Sequence, residues 1–206
     1  MILVGQYDSP FVRRVAISLR VLAIPYDHDT RSVFGDFDAM RTVNPLGRIP
    51  SLILDDGATL VDSSAILDWL DRNVGAERAL IPAAGEERTQ ALQTLALATG
   101  GVETFGAANY EEMIRPSHLR WPEWKERRLI QGRGALAALE RELWPETRFD
   151  QREITTGCLI GYLKLTRRDD IRDEDYPALN ALWARCAAHE AFRATDVEGY
   201  AVPRGN

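Results

Sequence analysis

Two hydrophobic rhythms divide the chain. Up to about residue 75, short apolar runs alternate with stretches in which apolar residues recur every three or four positions, and beyond about residue 86 only the helical spacing remains. Ile2 to Val4 predicts a strand. Phe11, Val15, Leu19 and Leu22 follow at helical spacing, with Arg13 and Arg20 on the opposite side. Pro25 breaks that helix, and Tyr26 to Thr30 can extend into a second strand. A short helix is predicted over Asp36 to Val43, ended by the turn signal Asn44-Pro45-Leu46-Gly47. Ser51 to Leu54 and Thr59 to Val61, joined through Asp56-Gly57, read as a hairpin. A helix starting near Asp62 then turns Ile66, Leu67 and Leu70 inward. The order is βαβαββα.

From Gly75 to Glu87 the rhythm lapses into Gly, Ala, Pro and charge, which reads as a linker. The boundaries that follow are a small α/β domain over 1–77, a linker over 78–85 and an all-helical domain over 86–206. Helices are predicted from about Glu86 to Ile114, Pro122 to Trp144, Asp150 to Thr166 and Tyr176 to His189. One start is explicit: Asp150 stands three residues before Glu153, so each side chain can satisfy the other's orphan N–H, and Phe149 and Ile154 supply a flanking staple. Ile154, Cys158, Tyr162 and Leu165 fall on one face of that helix, and Gly157 and Gly161 leave room for another backbone, so it is expected to be the buried centre of its domain.

Composition narrows the function classes. With 206 residues, 45% of them hydrophobic and 27% charged, the chain is an ordinary globular protein. No apolar run approaches the ~20 residues of a membrane span, and the N-terminus lacks a secretory pattern, so a cytoplasmic location without membrane attachment is expected. A net charge of −6 argues against nucleic acid as a partner, because neutralising phosphates is the main source of that affinity. The two cysteines, Cys158 and Cys186, sit inside helical patterns, which points to buried free thiols and to neither a disulfide framework nor a metal site.

Chemistry concentrates at three places in the first domain. The first is Tyr7-Asp8-Ser9-Pro10, where a strand hands over to a helix N-terminus. Such a terminus carries free N–H groups and a partial positive charge, which favours an anion such as a thiolate, and a hydroxyl at Ser9 could donate to it. Ser9 can equally be an ordinary helix cap before a first-turn proline. The second is Asn44 to Ser51, where Pro50 opens a strand. A cis Ile49-Pro50 bond would leave the Ile49 backbone free to pair with an extended peptide ligand, whereas a trans turn is the default for the segment taken alone. The third is Val61-Asp62-Ser63-Ser64, again at a helix start. Capping accounts for both polar residues there, and so does a site for one zwitterion, with Asp62 on an ammonium and Ser63 on a carboxylate.

The ordered set Ser9-Pro10-Phe11-Val12-Arg13-Arg14, Asn44-Pro45-Leu46-Gly47-Arg48-Ile49-Pro50-Ser51-Leu52, Asp62-Ser63-Ser64-Ala65-Ile66-Leu67 and the Phe149 to Ile154 cap resembles the glutathione S-transferase superfamily over essentially the whole chain. The C-terminal segments look like its small bacterial members. The resemblance implies a thioredoxin-like N-terminal domain followed by an all-helical one, and it implies glutathione as co-substrate with no metal. It makes Ser9 the thiol-activating hydroxyl of the serine-type classes, with Tyr7 the alternative by its spacing to Arg13. Ile49, before a cis Pro50, would pair with the cysteinyl part of glutathione, Asp62 and Ser63 would hold the γ-glutamyl end, and Arg48 would reach a glutathione carboxylate. Arg13 is read as a structural, ion-pairing residue. The electrophile would meet a wall drawn from Gly100 to Ile114, with Phe105, Tyr110 and Met113 as candidates. A detoxifying transferase working as a homodimer is implied. The alternatives are a non-catalytic stress or protein-interaction module on the same fold, or another glutathione-dependent peroxidase, dehalogenase or isomerase activity.

Overall fold

The computed structural model describes residues 1–145 and 149–197. Its first seven elements are β1 (Ile2–Val4), α1 (Pro10–Val21), β2 (Asp27–Asp29), α2 (Phe37–Val43), β3 (Ser51–Ile53), β4 (Thr59–Leu60) and α3 (Ser63–Val74), the thioredoxin-like order that the sequence predicts. They form one four-stranded mixed sheet ordered β2-β1-β3-β4. β1 runs parallel to β2 and antiparallel to β3, with Val4 opposite both Asp29 and Ser51. The hairpin between β3 and β4 closes through Leu54 and Ala58, with Gly57 at φ 85° where a side chain would be strained.

Local chemistry explains where α1 and α3 begin and end. Ser9 and Asp62 are their N-caps, and Pro10 occupies the first turn of α1, where its missing N–H costs nothing. α1 stops through Ala23 at φ 55°, with the Ile24 N–H donating back to the Leu19 carbonyl at 2.8 Å. After α3, the Asp71 carboxylate accepts the Leu80 and Ile81 N–H groups at 2.8 and 3.0 Å, which fastens the segment read as a linker to the first domain.

Two compact units divide the chain, and the division is not contiguous. Unit one comprises Met1–Arg88 and takes in residues 187–197, whereas the sequence reading assigns all of 86–206 to the second domain. The reason lies in α8 (Glu190–Arg193), whose Phe192 is 1% exposed. Arg13 donates through Nη2 to the Phe192 carbonyl at 3.1 Å, and its guanidinium lies 5.3 Å from the Phe192 ring centroid. Arg13 is therefore buried, not on the solvent side of α1 with the exposed Arg20, and a carbonyl stands where an ion-pair partner was expected.

Unit two is helical: α4 (Gly85–Met113, from Thr89 onward), α5 (Pro122–Leu139), α6 (Gln151–Thr166) and α7 (Pro177–Ala188, up to Cys186). α6 is its buried centre, with Ile154, Leu159, Ile160 and Leu163 fully enclosed, although Leu165 in its last turn is 42% exposed. Asp150 caps the Arg152 N–H at 2.8 Å, and the Glu153 carboxylate accepts the Asp150 backbone N–H, the return half of the predicted capping box. α5 ends sooner than the Trp144 predicted, because Glu140 turns to accept the Ala178 and Leu179 N–H groups at the start of α7, at 2.7 and 2.9 Å. Trp144 folds back to donate to the Leu139 carbonyl. Cys158 and Cys186 are both buried and form no disulfide.

Candidate functional site

Gly5 is the hinge of the first corner. At φ 127°, a Cβ built there would lie 2.7 Å from Val12 Cγ2 and 2.8 Å from Ile49 Cβ, so only a hydrogen lets α1 and the 44–50 turn close on the end of β1. The Gly5 carbonyl is held by His28 Nε2 at 2.7 Å, and the His28 ring stacks on Tyr7 with centroids 4.0 Å apart. Because Val4 pairs with Ser51, the residue just before it, Pro50, arrives beside the same corner. The Ile49-Pro50 bond is cis, as the resemblance implies, and Val61-Asp62 is also cis. The turn leading to them is built by Asn44, 2% exposed, whose Nδ2 donates to the Arg48 carbonyl at 2.7 Å while its Oδ1 accepts the Leu46 N–H at 2.9 Å.

The two candidate hydroxyls have different surroundings. Ser9 is half-buried, and its Oγ accepts the Val12 N–H at 3.5 Å, a long bond that constrains it weakly. Tyr7 is 8% exposed and its hydroxyl shares a 2.8 Å hydrogen bond with Tyr26. Burial, and then the Tyr26 hydroxyl, push the Tyr7 phenol well above the usual tyrosine range, against the opposing pull of Arg20. Beside Ser9, burial also raises the Asp8 carboxyl, partly offset by backbone N–H groups.

At the third place, α1 and α3 are tied together. Ser63 is 2% exposed and accepts two hydrogen bonds from Arg14, through Nε at 3.1 Å and Nη2 at 2.7 Å. Arg14 Nη2 also donates to Ser64 Oγ at 3.0 Å. Asp62 is exposed, and its Oδ1 accepts the Ser64 N–H at 2.8 Å. Arg48 is exposed. Ser9, Ile49, Pro50, Asp62 and Ser63 all belong to unit one, on segments linked by the β1–β3 pairing, Gly5 and Arg14.

Arg14 and His28 were missed by sequence reasoning, and Asn44 was read only as part of a turn signal. For Arg14 a signal exists: Val12, Ala16 and Ile17 make α1 apolar on a second side, so two consecutive arginines could not both face solvent. In unit two, Phe105 leaves the list of wall candidates. It is fully buried and packs over Gly132, where a Cβ would come within 2.6 Å of its ring. Tyr110 is 52% exposed and Met113 half-buried. Among the described residues no cluster of three His, Cys, Asp or Glu side chains could hold a metal ion, and no helix is long and apolar enough to cross a membrane.

Residues 3–78 match the family model of the glutathione S-transferase N-terminal domain. Over nearly its full length the chain is 33% identical to a glutathione transferase family member from Pseudomonas fluorescens Pf-5, solved with bound glutathione, with a TM-score of 0.85 over 94% of this chain and 97% of that one. The chain belongs to the glutathione S-transferase superfamily. A glutathione S-transferase from Methylobacillus flagellatus KT, solved with glutathione, is 28% identical at a TM-score of 0.85, covering 94% of this chain and 98% of the other. Among curated relatives, the uncharacterized GST-like protein YibF of Escherichia coli K12 is 27% identical over 95% of this chain and 98% of its own length. The glutathione S-transferase fold thus extends through both units.

Proposed function

We propose that the protein is a glutathione transferase that binds glutathione at the corner of unit one, stabilises its thiolate through Ser9 and transfers it to a small apolar electrophile. The observation that carries this reading is the convergence of the Ser9-capped helix start, the cis Ile49-Pro50 segment and the Asp62-Ser63 helix start on one unit. Ile49 offers its backbone to the cysteinyl part, Asp62 takes the γ-glutamyl ammonium, Ser63 takes the neighbouring carboxylate and Arg48 reaches a further carboxylate. Two relatives of similar length hold glutathione, which supports the choice of peptide. The active form is a homodimer in the cytoplasm, a reading that rests on the family; sedimentation of the purified protein at monomer mass would remove the first half of it.

Magnitudes favour a hydroxyl at a helix start. A free thiol with pKa ~8.5 is roughly 3% ionised at pH 7. Lowering that pKa by about 2 takes ~2.7 kcal/mol of preferential thiolate stabilisation. A hydrogen bond to a charged group supplies ~1.5–3 kcal/mol and a helix terminus ~0.3–1 kcal/mol, so Ser9 with the first turn of α1 is sufficient. Tyr7 is the weaker candidate because it is 8% exposed and its hydroxyl is engaged with that of Tyr26 at 2.8 Å, whereas Ser9 is half-buried at the helix start.

Thiolate absorbance of bound glutathione against pH tests the assignment. Ser9→Ala should raise the bound thiol's pKa by roughly 1–2 with little loss of affinity, and Tyr7→Phe should leave the titration where it is. A titration that moves only in Tyr7→Phe would transfer the role to the tyrosine. Turnover of an aryl halide, or its absence despite tight glutathione binding, separates a transferase from a non-catalytic module.

A further inference from the structure

We propose that Arg14 is a positioning residue that fixes the hydrogen-bonding sense of Ser63, forcing its hydroxyl to donate outward and so selecting a ligand carboxylate at that point. The inference rests on the reading that Asp62 and Ser63 hold the γ-glutamyl end of glutathione.

A serine hydroxyl has two acceptor lone pairs and one proton, and unconstrained it can present either sense to a ligand. In this protein Nε and Nη2 of Arg14 both donate to Ser63 Oγ, at 3.1 and 2.7 Å, which uses both lone pairs. Only the proton remains, and no described group accepts it. A guanidinium stays protonated at every working pH, so these two donors cannot be withdrawn. Arg14 itself is held: it is 3% exposed, donates a third bond to Ser64 Oγ at 3.0 Å, and lies 5.9 Å from the centroid of the Phe11 ring. Ser63 is 2% exposed, so a single further oxygen completes its shell. An ammonium, which can only donate, finds no acceptor on Ser63. It is left to Asp62, whose exposed carboxylate uses Oδ1 for the helix cap. Arg14 thus separates the two poles of one zwitterion.

Calorimetry with two ligands provides the test: glutathione, and the same tripeptide with its γ-glutamyl α-carboxylate replaced by hydrogen. The wild type should prefer glutathione by about tenfold or more, the size of one charge-assisted hydrogen bond. Arg14→Gln should lower glutathione affinity about tenfold and leave the analogue within about twofold, and Ser63→Ala should erase the preference so that adding Arg14→Gln changes nothing further. A loss shared equally by both ligands, or an unchanged preference, overturns the proposal. Should Arg14→Gln fail to fold, Arg14→Lys carries the test, since lysine keeps the charge but not the planar fork. A preference reduced about threefold supports the role, and one at the wild-type value overturns it. If the wild type binds both ligands equally, the γ-glutamyl assignment fails first and takes this proposal with it.

Discussion

In the proposed site Asp62 would serve helix and ligand with one carboxylate. Its Oδ1 holds the Ser64 N–H at 2.8 Å, a capping bond that an asparagine can reproduce, while the charge is what an ammonium would read. Asp62→Asn therefore separates the two duties. Unfolding free energy should stay within about 0.5 kcal/mol of the wild type, since asparagine and aspartate cap equally well. Glutathione affinity should fall about tenfold or more, because the lost interaction is with a charged group. Equal affinity by calorimetry would confine Asp62 to capping. A similar division applies to Ser9, whose 3.5 Å bond to the Val12 N–H is long enough that the hydroxyl can turn to another partner at little cost.

Among the elements, β1, α1 and the 44–50 turn meet through an absence of side chain at Gly5. Gly5→Ala should destabilise unit one by roughly 2 kcal/mol or more, since the new methyl must displace Val12 and Ile49 and sit at a positive φ. Urea unfolding measures the first effect. Weaker glutathione binding should accompany it, because Ile49 is one of the groups pushed aside; a variant as stable as the wild type would show that the corner relaxes freely. Most elements were legible from periodicity and punctuation: the caps Ser9, Asp62 and Asp150 stand immediately before their helices, and Pro25 and Asp56-Gly57 mark element ends to within four residues. What periodicity could not disclose was anything decided by a distant segment. Arg13 sits on the polar side of α1 in sequence and is buried in fact because α8 covers it. The end of α5 depends on Glu140 being drawn to α7, and the same limit hid Arg14, whose partner Ser63 lies 49 residues away. Phe105 looked like any aromatic on a helix until Gly132 of α5 gave it a place in the core.

At the scale of the molecule, unit two keeps an ionisable group near its centre. Glu153 in α6 receives Arg185 Nη2 at 3.1 Å, which favours the carboxylate, but burial outweighs the pair and holds the acid above its ordinary value of 4.5. A carboxyl that keeps its proton longer in the fold than in the unfolded chain stabilises fully below that ordinary value, and its contribution declines as pH rises through the folded value. Comparison with Glu153→Gln isolates this effect. Measured by urea unfolding between pH 4.5 and 7, the difference between wild type and variant should move in the variant's favour as pH rises. A constant difference would mean that Arg185 compensates the burial in full.

Unit one also has a history problem built into its chain. Arg13 is buried under the Phe192 carbonyl and ring, from a helix encoded more than 170 residues downstream. A segment ending at Arg88 carries Ser9, Ile49, Pro50, Asp62 and Ser63, yet it would be released with a guanidinium stripped of its acceptor and an apolar face uncovered. Unit one cannot be traded between proteins as a cassette cut at residue 88. Recombination that preserves it has to carry α8 along, so two segments far apart in the chain are inherited as one part.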